Sequence, residues 1–210
     1  MQQEFKFKFE IYRKIFHFCL ILLPISYLLI QNKKIFFVSL FVATFIIVFV
    51  DFFRQKYSGL NRIFLFIFGK IMRDHEKNQP KLAGVSYAFL SASLVFSFAK
   101  PVVAIMSLFI LAIADGFASI VGKSIKSKPF YQKTSAGSIA FFCLAMVVVV
   151  VCGWYFNYKN WVFYIYSLFG VIFATALEAR SDLLKLDDNL VVPLSFALIL
   201  SFLDILWNFL

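Results

Sequence analysis

Ala112–Ser138, AIADGFASIVGKSIKSKPFYQKTSAGS, sets one aspartate deep in an apolar run, follows it with a loop rich in Gly, Lys, Ser and Thr, and then returns to hydrophobic sequence. The run begins at Pro101 and reaches Val121, enough to cross a hydrocarbon core of roughly 30 Å, which takes about 20 apolar residues. A charge at the centre of such a span costs about 2.5–3.5 kcal/mol on insertion scales, so Asp115 needs a partner or a purpose. Helical spacing puts Ala112, Asp115, Ser119 and Gly122 on one face, a stripe of small residues that lets another backbone or a ligand approach.

The rest of the chain extends this pattern. Its 210 residues are 62% hydrophobic and 15% charged, with a mean hydropathy of +0.86. That is more apolar material than one soluble core hides, so an all-α polytopic membrane protein is expected, one transmembrane helical domain over residues 1–210. Spans are expected at about Phe16 to Ile30, Ile35 to Val50, Leu82 to Phe98, Pro101 to Val121, Gly137 to Phe156, Trp161 to Ala179 and Leu190 to Phe209. A further run, Leu60 to Met72, carries Arg62 and Lys70 and is too short to span, so it is expected in the interface as an amphipathic helix. No small-residue cleavage site follows the first apolar run, and no cleavable signal peptide is expected. Cys19, Cys143 and Cys152 sit in apolar segments without paired spacing and are expected to be core residues.

Charge orients this arrangement. Of the 21 Lys and Arg, all but Lys33, Lys34, Lys100 and Lys159 fall on the side that holds the N-terminus and the loops at about 51–81, 122–136 and 180–189. The positive-inside rule makes that side cytoplasmic. The cations lie at the ends of apolar runs and not along one face, so membrane orientation explains them and nucleic acid is not an expected partner. Asp51, Asp74, His75, Glu76, Asp115, Glu178, Asp182, Asp187, Asp188 and Asn189 fall on the same side, and only Asp204 stands clearly apart. Acids and lysines gathered at one membrane face suit a polyanion held through a divalent cation.

The loop after Asp115 adds Gly122, Lys123, Lys133, Thr134, Ser135, Gly137 and Ser138. Its glycines permit close approach, and hydroxyls and lysines donate to an anion at the start of the following helix. It does not match GxxxxGK[ST], which excludes the soluble P-loop. Near the N-terminus Glu10, Arg13, Lys14 and His17 share one helical face. The competing readings are a structural aspartate paired with a lysine, a solvated basic turn, orientation charges and a satisfied core histidine.

Five ordered blocks then carry a family resemblance: RKIFH at Arg13–His17, HEKNQPKLAGVSY around Glu76 and Gly84, ADGFASIVG at Ala114–Gly122, KTSAGS at Lys133–Ser138, and ALEARSDLLKLDDNLVVPL at Ala176–Leu194. Over most of its length the chain resembles the CTP-dependent lipid-alcohol kinases, the group of dolichol kinase, yeast-type diacylglycerol kinase, and phytol and farnesol kinases. PFYQKTSAGSIAFF and LDDNLVVPL look closest to the phytol kinase branch, where a small residue, here Ala136, precedes the glycine. The resemblance implies a Mg²⁺-dependent transfer of the γ-phosphoryl group of CTP to a membrane lipid alcohol.

On that basis Asp115, Glu178, Asp187 and Asp188 are expected metal ligands. Arg13, Lys14, Gly122, Lys123, Lys133, Thr134, Ser135, Gly137 and Ser138 are expected around the phosphates. Asp115 or His17 accepts the hydroxyl proton, Lys133 serves the transfer, and Asn189 and Pro193 shape the turn that presents the two aspartates. The rival expectations are a phosphatidate cytidylyltransferase making CDP-lipid, whose PGHGG-type segment does not occur here, and a small-solute or ion transporter using Asp115 and His17 as a relay.

Overall fold

Helix α1, Tyr12–Leu29, opens the described structure, and its regular α-helical pattern is interrupted at residues 20–21, where Pro24 has no N–H to give to Leu20. There the hydrogen bonds tighten by one residue, with Leu23 N donating to the Leu20 carbonyl at 3.1 Å. The computed structural model describes residues 12–73, 76–77, 81–131, 133–181, 186–208 and 210. After α1 come α2 (Lys33–Phe53), α3 (Ser58–Phe68), α4 (Gly84–Phe98), α5 (Pro101–Ser124), a hairpin of β1 (Pro129–Phe130) with β2 (Lys133–Thr134), α6 (Ser135–Tyr155), α7 (Trp161–Glu178) and α8 (Asp188–Trp207). Side-chain oxygens cap the N-termini where the loops supply them: Asn32 on α2, Thr134 on α6, Asn160 on α7 and Asp187 on α8.

Six of these helices, α1, α2, α5, α6, α7 and α8, are long and apolar enough to cross a membrane. The remaining expected span, Leu82 to Phe98, is a helix of only 15 residues, about 22 Å at 1.5 Å per residue. It nevertheless runs from one end of the bundle to the other. At its start a Cβ on Gly84 would lie 2.9 Å from Asn189 Nδ2 at the head of α8. Just past its end, Lys100 Nζ lies 2.8 Å from Asp204 Oδ2 near the tail of α8. Helix α3 has 11 residues and an outer face of exposed Ile63, Phe66 and Ile67, with Phe64 turned inward. It is too short to span.

Helix α5 is the axis of the bundle. Val103, Ala104, Ile105, Met106, Leu108, Ile110 and Leu111 are all buried, and α1, α4, α6 and α8 pack against this helix. Within α5 the segment Ile110–Asp115 is π-helical, a widened turn that re-aims the side chains after it. Ala112, expected beside Asp115, is consequently part of the core. Small residues bring helices together: a Cβ on Gly170 of α7 would lie 2.4 Å from Leu200 Cδ1 of α8.

The outer surface is hydrophobic, as lipid contact requires, with Phe45, Phe66, Val147 and Ile205 among its exposed side chains. Trp154, Tyr155, Trp161 and Trp207 are exposed together at the α6 tail, the α7 head and the α8 tail, and aromatic residues concentrate at membrane interfaces in this way. The cysteines are free thiols. Cys152 is buried, but Cys19 and Cys143 lie on the exposed surface and not in the core, because their helices turn those faces outward.

Candidate functional site

At the end of the bundle opposite those tryptophans, a cavity of about 260 Å³ opens among the head of α1, the tail of α5, β2, the head of α6, the tail of α7 and the head of α8. From α1 it takes Arg13, Lys14 and His17, which share a face at spacings of three and four. From α5 it takes Asp115, Ala118, Ser119, Gly122 and Lys123, the residues aimed by the π-helical turn. Lys133, Thr134, Gly137, Glu178 and Asp188 close the other side.

The wall between α5 and α6 depends on two glycines. A Cβ on Gly122 would meet Thr134 Oγ1 at 2.8 Å and Gly137 Cα at 3.4 Å, and one on Gly137 would meet the Ala118 carbonyl oxygen at 3.3 Å. Thr134 fastens this contact. Its Oγ1 accepts from Gly137 N at 3.2 Å and donates to the Gly122 carbonyl at 3.3 Å.

Asp115, Glu178 and Asp188 are 5%, 3% and 7% exposed, too little for bulk water to solvate three carboxylates. Cations answer them in part. Lys133 Nζ stands 3.0 Å from Glu178 Oε1 and 3.6 Å from Asp188 Oδ2, and Arg73 Nη2 stands 3.4 Å from Asp188 Oδ2. His17 Nδ1 lies 3.4 Å from Asp115 Oδ2. Burial works against the charge on Lys133, but Asp115, Asp188 and Glu178 more than reverse it and hold its pKa above the ordinary lysine range. Burial likewise opposes Arg73, whose pKa Asp188, Asp187 and Glu76 raise. Both therefore stay cationic.

Glu178 Oε2 and Asp188 Oδ1 are buried and have no hydrogen-bond partner. Among the described residues no three His, Cys, Asp or Glu side chains form a metal cage. Mg²⁺ does not require one, since it is commonly held by one or two carboxylates together with substrate phosphates. Two orphaned carboxylate oxygens in a cation-lined cavity fit that donor set, with Glu178 and Asp188 as the protein's share.

Other expected site residues stand elsewhere. Asp187 caps α8: its Oδ1 accepts from Asn189 N at 3.0 Å and Asn189 Nδ2 at 2.7 Å. Burial and the adjacent Asp188 push the Asp187 carboxyl up to about 7. Asn189 thus holds the turn, whereas Pro193 lies buried inside α8 and not in the turn. Glu76 is a buried brace whose Oε2 accepts from Arg73 N at 3.0 Å, and Gly84 makes room for Asn189. Ser135 and Ser138 do not reach the cavity. They face an apolar recess between α6 and α7. The first N–H groups of α6 are also engaged, Ser135 N by the Lys128 carbonyl at 2.9 Å and Ala136 N by Ser127 Oγ at 3.1 Å. Glu10, Asp74, His75 and Asp182 lie outside the described residues.

Sequence reasoning passed over Arg73, counting it only as an orientation charge. A basic residue directly before the DHE triplet at residues 74–76 was the available signal. Asp51, one of the acids expected at this end, is a buried fastener: its Oδ1 lies 2.5 Å from Arg54 Nε, and its Oδ2 accepts from Ala83 N at 2.7 Å and from Ser86 Oγ. Arg54 Nη2 donates in turn to the Glu76 carbonyl at 2.9 Å. The sequence Asp51, Arg54, Glu76, Arg73 therefore links the tail of α2 to the cavity.

Two known proteins resemble this chain. An uncharacterized protein of Rickettsia prowazekii is 34% identical over 194 residues, 91% of this chain and 93% of that protein. CTP-dependent diacylglycerol kinase 1 of Eremothecium gossypii is 26% identical over 219 residues, 93% of this chain and 67% of that protein, a distant homology. No family model matches the chain, and no solved structure matches it.

Proposed function

We propose, for a chain that belongs to one family with the Rickettsia prowazekii protein, that it is a CTP-dependent lipid kinase, transferring the γ-phosphoryl group of CTP to the hydroxyl of a membrane alcohol of the phytol, farnesol, polyprenol or diacylglycerol type. The distant homology to the yeast diacylglycerol kinase supports lipid kinase activity in general and CTP as donor. The observation that carries the reading is the cavity itself, where Glu178 and Asp188 keep orphaned buried oxygens among Lys133, Arg73 and the α1 cations. That combination suits a metal-bound polyphosphate.

In this reading Lys133, Arg73, Arg13, Lys14 and Lys123 neutralise the phosphates, and the close Gly122–Gly137 contact holds α5 and α6 together as the wall they lie against. Held by Glu178 and Asp188, Mg²⁺ would supply further neutralisation of charge on the phosphate oxygens. The lipid oxygen forms a bond to the γ-phosphorus as the bond from that phosphorus to the β,γ-bridging oxygen breaks, and CDP leaves. The hydroxyl proton passes to the His17–Asp115 pair. The excess of Lys and Arg at this end of the bundle supports a cytoplasmic site, open to soluble nucleotide while the lipid tail stays in the bilayer.

The test is transfer from CTP to a panel of phytol, farnesol, undecaprenol and diacylglycerol by the purified protein in nanodiscs, with ATP and GTP as alternative donors. A lipid monophosphate, lost on chelation and restored by Mg²⁺, is the expected product. If no alcohol is phosphorylated, or if Asp115→Asn and Lys133→Ala both retain wild-type turnover, the assignment is wrong.

A further inference from the structure

The first turn of α6 faces two environments. Thr134 and Gly137 line the polar cavity, whereas Ser135 and Ser138 line an apolar groove of about 410 Å³ on the outside of the bundle. Ile139 and Phe142 of α6 and Ile172 and Ala176 of α7 form its walls. The groove and the cavity meet at the same seam. Helix α7 gives Thr175 and Ala176 to the groove and Glu178 to the cavity, and three helical residues rise only about 4.5 Å. The ion pair of Lys133 and Glu178, at 3.0 Å, ties the head of α6 to the tail of α7 across this seam.

Ser138 supplies the second observation. Its side chain is buried, it lines the groove, and its Oγ has no hydrogen-bond partner. An unanswered hydroxyl at the polar end of an apolar wall matches an amphiphile with a hydrocarbon tail and a single hydroxyl.

A second groove, of about 480 Å³ between α2 and α4, provides the contrast. Its Thr44 and Ser93 hydroxyls bond each other at 2.7 Å, and neither α2 nor α4 contributes a residue to the cavity.

We infer that the α6–α7 groove holds the hydrocarbon chain of the lipid alcohol, with Ser138 Oγ hydrogen-bonding the alcohol as its hydroxyl approaches the Lys133–Glu178 seam. This rests on the phosphoryl-transfer reading and adds to it where the acceptor sits.

The experiment uses the whole protein in nanodiscs and a C20 isoprenoid alcohol carrying a diazirine near its tail. Photolysis is expected to label residues 139–142 and 172–176, and unlabelled alcohol but not the matching hydrocarbon competes. Ala176→Trp, and separately Ile172→Trp, raise KM for the alcohol at least about tenfold, as filling an apolar pocket does, while KM for CTP stays within about twofold. Leu94→Trp in the α2–α4 groove changes neither. Label on α2 and α4, label spread evenly over every lipid-facing helix as for annular lipid only, or an unchanged alcohol KM in both groove variants overturns the proposal. Absence of any phosphorylation refutes the kinase reading, and the labelling map still decides whether the groove takes the alcohol.

Discussion

At the end of the bundle marked by tryptophans, Asp204 and Lys100 answer one another at 2.8 Å, and Leu210 N donates to the second Asp204 oxygen at 3.0 Å. At the opposite end Glu178 and Asp188 each keep a buried oxygen with no partner although lysine and arginine stand beside them. Both ends hold charge where lipid and protein meet, and both incur desolvation. The first set is closed on itself, which describes structure. The second is left unanswered in side chains that line a cavity, which suits a ligand that brings its own charge. The Asp51–Arg54 pair sharpens the contrast, since it lies at the cavity end and yet is closed on all sides.

The comparison breaks most easily at Asp115. Asp115→Asn is expected to lower turnover with CTP and lipid alcohol by about 10²–10⁴-fold, the range for a lost acid–base group, with no loss of thermal stability in the same detergent. An Asp115 that served only to hold α1 against α5 through His17 would give the reverse pattern. Next in size is Asp51→Ala, which strands the Arg54 charge in the interior and is expected to destabilise the fold by about 3–5 kcal/mol. Thermal unfolding reads that loss, and turnover falls with it as Glu76 and Arg73 lose their support.

The α5–α6 wall gives a smaller and more specific effect. Gly122→Ala forces a Cβ to 2.8 Å from Thr134 Oγ1, an overpacking worth about 1–3 kcal/mol. Thr134→Ala removes that oxygen together with its cap on α6, at a cost of about 1 kcal/mol. The double variant is expected to be less destabilised than the sum of the two, which a double-mutant cycle by unfolding measures. The smallest effect is expected at the far end. Lys100 is half exposed there, so Asp204→Asn changes stability by about 1 kcal/mol or less and leaves transfer from CTP unchanged.

The spans were legible because a bilayer imposes a length on apolar runs, and Pro101 or Trp161 marks a helix start in sequence as plainly as in space. The α1 face of Arg13, Lys14 and His17 was legible from helical spacing, and all three residues line the cavity. The aim of α5 was not. The π-helical turn at Ile110–Asp115 has no marker in its letters, ILAIAD, and it alters which residues share a face. Nor did the letters KTSAGS tell which hydroxyl caps the helix at the cavity and which line the groove between α6 and α7. Thr134 takes the cap, and Ser135 and Ser138 line the groove between α6 and α7. Arg73 was hidden for a related reason: its role depends on Asp188, 115 residues away in sequence.

The most direct test of the account follows two labels at once. CTP labelled in the γ-phosphate and CTP labelled in the α-phosphate are supplied in parallel to the purified protein with its preferred alcohol, and the lipid product is extracted and counted. The account predicts that only the γ-label reaches lipid and that CDP is released. Appearance of the α-label in lipid, with pyrophosphate released, would instead make the cavity a site of cytidylyl transfer and contradict the central claim.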